Sequence, residues 1–111
     1  MLKVTHQIQL YASACTRNDF YLDRIHAAAE KLGLSFTLEK VTDEAAIEAQ
    51  GLLVACLYAY CPGCRAMHAT LTDETGRPEH CTPALAVDGR VIFDNYPPDD
   101  DALERLLSAY A

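Results

Sequence analysis

Thr82-Pro83-Ala84-Leu85-Ala86-Val87-Asp88-Gly89-Arg90-Val91-Ile92-Phe93 sets two short apolar runs on either side of an Asp-Gly pair. Ala84-Leu85-Ala86-Val87 and Arg90-Val91-Ile92-Phe93 read as strands, and Asp88-Gly89 favours the positive backbone angles of a two-residue hairpin turn. This hairpin anchors the reading of the rest of the chain. Beyond it, Pro97-Pro98-Asp99-Asp100-Asp101 opens a helix bearing Leu103, Leu106, Leu107 and Tyr110. Prolines suit a helix entry and acids there complement the helix dipole, so the aspartate run reads as capping and not as a cation site.

Toward the N-terminus, Lys3 to Tyr11 reads as a strand with imperfect alternation, followed by the loop Ala12-Ser13-Ala14-Cys15-Thr16. Tyr21, Leu22, Ile25, Ala28, Ala29 and Leu32 then fall on one helical face, and Gly33 supplies the stop. Leu34 to Val41 alternates Leu34, Phe36 and Leu38 against Ser35, Thr37 and Glu39, the pattern of a strand with one buried face. Thr42-Asp43-Glu44 can cap a short helix that runs through Gln50 and ends at Gly51. The order is β-α-β-α, then a cysteine-rich segment at 56–81, then β-β-α. A βαβ unit requires a parallel pair, and the later hairpin extends that sheet antiparallel. The expected fold is therefore α/β: one domain over 1–111, with a four-stranded mixed sheet and helices on both faces.

At 111 residues the chain suits one domain; half of it is hydrophobic and 23% is charged, as in ordinary folded proteins. The net charge of −7 repels phosphate backbones and anionic lipid, which argues against nucleic-acid or membrane binding as the main task. The longest nearly apolar run, Leu52 to Tyr60, is about half of the ~20 residues that a membrane-spanning helix needs. The first residues turn polar at once and lack the apolar core of a signal peptide, so the cytoplasm is the expected compartment. Thiols are kept reduced there. Five cysteines in so short a chain then point to chemistry or metal, not to structural disulfides.

Three stretches carry a resemblance to the thioredoxin superfamily, and within it to short single-domain redox-active-disulfide proteins related to glutaredoxins. Leu10-Tyr11-Ala12-Ser13-Ala14-Cys15 places a cysteine between the first strand and the first helix; Glu39-Lys40-Val41-Thr42-Asp43 looks like the exit of the second strand; Thr82-Pro83-Ala84-Leu85-Ala86-Val87-Asp88-Gly89 looks like the cis-proline strand and hairpin. The resemblance implies a thioredoxin-like fold, a nucleophilic Cys15 and a cis Pro83. Two departures stand out. The family's Cys-x-x-Cys reads Cys15-Thr16-Arg17-Asn18, without a second cysteine, and residues 56–81 intervene where the family passes almost directly to the proline strand.

A thiol at a helix start feels the positive end of the dipole, and Arg17 adds a cation; both favour the thiolate of Cys15. With asparagine at position 18, a mixed disulfide on Cys15 would be resolved by an outside thiol such as glutathione or by a cysteine of the 56–81 segment. Cys61-Pro62-Gly63-Cys64 has two readings. As a redox pair, Cys61 sits at the exit of a strand over Leu52 to Tyr60 and Cys64 closes the disulfide. As a chelating knuckle, Cys56-x4-Cys61-x2-Cys64 matches the spacing of the first three cysteines of plant-type [2Fe–2S] ferredoxins, with Cys81 as fourth. Four thiolates can equally hold zinc, with His68 or His80 replacing one.

Cys81 lies two residues before Pro83 and can approach Cys15 or, since side chains alternate along a strand, point away. Thr82 and Pro83 form a candidate recognition edge, because without an N–H on Pro83 the strand keeps an exposed stretch able to pair with an extended peptide or with glutathione. His26 reads as a residue on the solvated edge of its helix, Met67 as packing, and Tyr58 and Tyr60 as sheet residues. The leading expectation is a thiol–disulfide redox protein acting on protein disulfides or glutathione through Cys15, Cys61 and Cys64. The alternative is a metal or iron–sulfur protein with ligands from Cys56, Cys61, Cys64 and Cys81.

Overall fold

A computed structural model of the chain describes residues 4–14, 19–54, 80–94 and 98–111. Strand β1 (Thr5–Tyr11) leads through helix α1 (Phe20–Lys31) to strand β2 (Ser35–Val41) and helix α2 (Glu44–Ala49). Strands β3 (Ala84–Val87) and β4 (Arg90–Phe93) and helix α3 (Asp100–Ser108) complete the set. The four strands form one mixed sheet in the order β2-β1-β3-β4. β1 lies parallel to β2, with Ile8 opposite Leu38, and antiparallel to β3, with Tyr11 opposite Ala84; β3 and β4 are antiparallel. The sequence expectation of an α/β chain with a four-stranded mixed sheet holds.

The hairpin forms where the Asp-Gly pair placed it. Asp88 and Gly89 have φ of +53° and +83°, the sign pattern of a two-residue turn that matches strand twist. Residues 88 and 89 therefore connect Val87 to Arg90, which face each other across the ladder. A register shift between Leu85 and Ala86 leaves an extra residue in β4. At the other glycine stop, Gly33 has φ +72°, its N–H bonds the Glu30 carbonyl, and the Leu34 N–H reaches back to Ala29. That pair of bonds satisfies carbonyls left open at the end of α1 and turns the chain into β2.

Period-2 alternation sorts the strand side chains into two cores. On one face Ile8, Leu10, Leu85 and Val87 pack with Tyr21, Ile25, Ala28 and Ala29 of α1 and with Leu103 and Leu107 of α3. Phe36 and Leu38 are partly buried against the same cluster, as their alternation with Thr37 and Glu39 implied. On the opposite face Tyr11, Ala84 and Ala86 meet Ile47 of α2 together with Leu52 and Val54. Each fully buried aliphatic side chain contributes about 1.5–3 kcal/mol. Asp43 and Asp99 cap α2 and α3, accepting from the Ala46 and Ala102 N–H groups at 3.1 and 2.8 Å. The acidic run at 99–101 is thus helix capping, with Asp100 also paired to Arg24.

Candidate functional site

Parallel β1 and β2 both run toward the same end of the sheet, and β3 enters from that end. The Ala12–Ala14 turn that leads to Cys15, the α1 start at Asp19, and the Thr82-Pro83 approach to β3 are therefore gathered there. Cys15 and Arg17 belong to 15–18, and Cys56, Cys61, Cys64, Met67, His68, Tyr58 and Tyr60 to 55–79; all lie outside the described residues. Of the candidate site residues, His80, Cys81, Thr82 and Pro83 are described.

Cys81 is fully buried. Thr82 is fully buried and Pro83 is buried, and the peptide bond joining them is cis. The exposed stretch expected at 82–83 is thus covered. Leu53 accounts for part of that cover: it forms an isolated parallel bridge with Cys81, donating its N–H to the His80 carbonyl and accepting from the Thr82 N–H, both at 3.0 Å. Of the expected strand over Leu52 to Tyr60, residues 52–54 are described, and they contribute this one bridge.

Lys40 and His80 each contact a carboxylate near this end. Lys40 lies on the same strand face as Phe36 and Leu38, and its Nζ reaches the Asp19 carboxylate at 2.6 Å. Asp19 is the N-terminal flanking residue of α1, yet its side chain caps no backbone N–H, being drawn to Lys40 instead. His80 is exposed and meets the Asp94 carboxylate through Nδ1 at 3.1 Å. His26 is an exposed residue of α1 beside Glu30 and edge-on to Phe36, which fits a solvated edge. Among the described residues no cluster of three or more His, Cys, Asp or Glu side chains is placed to hold a metal ion. Nor, among them, is any helix long and apolar enough to cross a membrane.

A second polar knot lies at the far end of the sheet. The Asp88 carboxylate meets His6 Nδ1 at 2.7 Å and accepts from the Gln7 N–H at 2.8 Å, while the His6 ring stands edge-on to Tyr110. These contacts hold the Asp88 carboxyl below the ordinary carboxylate value, the His6 hydrogen bond first and the Gln7 N–H next. Sequence reading missed this knot, the Lys40–Asp19 pair and the Leu53–Cys81 bridge. Lys40 carried a signal, since it breaks the run of apolar residues at every second position of β2; the other two join residues far apart in sequence and leave no local pattern.

No protein-family profile matches the chain, and no curated protein matches it either.

Proposed function

We propose that the chain is a thioredoxin-like thiol–disulfide redox protein using Cys15 with the Cys61/Cys64 pair. One observation carries the reading: β1 ends in register with Ala84, directly after the cis Thr82–Pro83 peptide, so the turn leading to Cys15 starts beside that proline. The α1 start at that end offers the positive end of its dipole, which favours a thiolate there. In the proposed cycle the Cys15 thiolate attacks a partner disulfide. A new S–S bond joins Cys15 to the partner, and the released partner sulfur takes up a proton. A second thiolate of this chain then attacks the Cys15 sulfur, frees the reduced partner and leaves an intramolecular disulfide. Two electrons pass from the chain to its partner, and an external thiol restores the reduced form.

A second reading, a zinc or iron–sulfur site with ligands from Cys56, Cys61, Cys64 and Cys81, draws support from the fully buried thiol of Cys81 where residues 55–79 rejoin the sheet. Such a group would supply a tetrahedral staple or a one-electron carrier. A thiol-coupled disulfide-reduction assay with Cys15→Ser tests the first reading: activity is expected in the unmodified chain and abolished in the variant, and unchanged turnover removes Cys15 from the mechanism. Stoichiometric zinc or iron in protein purified anaerobically, with no reductase activity, selects the second.

A further inference from the structure

Thr82 is the last residue before Pro83 with a backbone N–H, and an extended chain adding to this edge needs that donor. Here the chain itself takes it. The Leu53 carbonyl accepts the Thr82 N–H and the Leu53 N–H reaches the His80 carbonyl, so Leu53 lies along residues 80–82 as an added strand would. Leu52 and Val54 on either side are 3% and 7% exposed within the core of Tyr11, Ile47, Ala84 and Ala86. The Leu53 side chain is 49% exposed. The flanking residues thus anchor the segment, while Leu53 contributes chiefly its backbone.

We propose that Leu53 is a specificity-determining residue: its backbone caps the edge at 80–82, so that glutathione and extended peptides do not pair there. The thiol chemistry of the preceding section is then reserved for partners that dock without strand pairing at Thr82. The capping stands on described geometry alone, and only the chemistry that it steers rests on the redox reading.

S-methylglutathione, which cannot exchange sulfur, separates the two. Titrated into the full-length, isotopically labelled chain, it is expected to leave the Thr82 and Cys81 amide signals unmoved, and Thr82 is expected to exchange slowly with solvent. Leu53→Pro removes the N–H given to His80; it is expected to speed Thr82 exchange by about tenfold or more and to admit the probe. Leu53→Ala keeps the backbone and is expected to stay closed. Probe-induced shifts at Thr82 in the unmodified chain or in Leu53→Ala overturn the proposal, and these two arms decide the matter even if Leu53→Pro does not fold. Because the probe is inert, its result is the same whether or not Cys15 proves reactive in the reduction assay.

Discussion

Asp88 sits at a turn position that needs a positive φ, and its carboxylate also holds the first strand through Gln7 and His6. Asparagine tolerates the same backbone angle and still accepts from Gln7, but it loses the charge that His6 faces. Asp88→Asn is therefore expected to lower the melting temperature by a few degrees at neutral pH. The acid limb gives a sharper test. A carboxyl held below its ordinary value stabilises the fold at pH values above its unfolded-state pKa, and that contribution is lost as the pH falls through the depressed folded value. Urea midpoints measured from pH 6 down to about pH 2 should fall more steeply for the unmodified chain than for Asp88→Asn, spanning the carboxylate range. Parallel curves would mean that the His6 contact adds nothing.

At the scale of elements, α2 has six residues, far fewer than an isolated helix needs in water. Its buried side chain, Ile47, is fully enclosed by the core of Tyr11, Leu52, Val54, Ala84 and Ala86. Ile47→Ala is expected to cost roughly 3 kcal/mol in urea unfolding and to release the amides of 44–49 to rapid exchange. A loss below about 1 kcal/mol would show that the cap at Asp43 and the chain connections suffice. Among the described residues, the hairpin, β1, β2 and the three helices appear where a period or stop in the sequence put them. Leu34, Phe36 and Leu38 announce β2, Asp88-Gly89 the hairpin and Gly33 the end of α1, because each of these signals is local. The site was less legible. Cys15 and Thr82-Pro83 could be singled out residue by residue, but part of the cover over Thr82 comes from Leu53, across the whole 55–79 segment, and nothing near either residue encodes that pairing.

At the scale of the whole molecule, the larger described core draws on Ile8, Leu10, Ile25, Ala29, Leu85, Leu103 and Leu107, residues on both sides of 55–79. Replacing 55–79 by a glycine-serine linker of about a dozen residues, near the least that a parallel crossover needs, is expected to preserve cooperative unfolding while abolishing any activity that depends on Cys61 and Cys64. A chain left without a cooperative transition would place part of the folding energy in that segment. The sheet order has a consequence for synthesis as well. β1 is made early, yet its second neighbour is β3, and His6 waits for a partner 82 positions later. On the ribosome the nascent β1-α1-β2 unit carries one bare apolar edge until residues 84–87 emerge. Cys56, Cys61, Cys64 and Cys81 leave the exit tunnel during that same interval, so the growing polypeptide is open to wrong strands and wrong sulfurs at one moment.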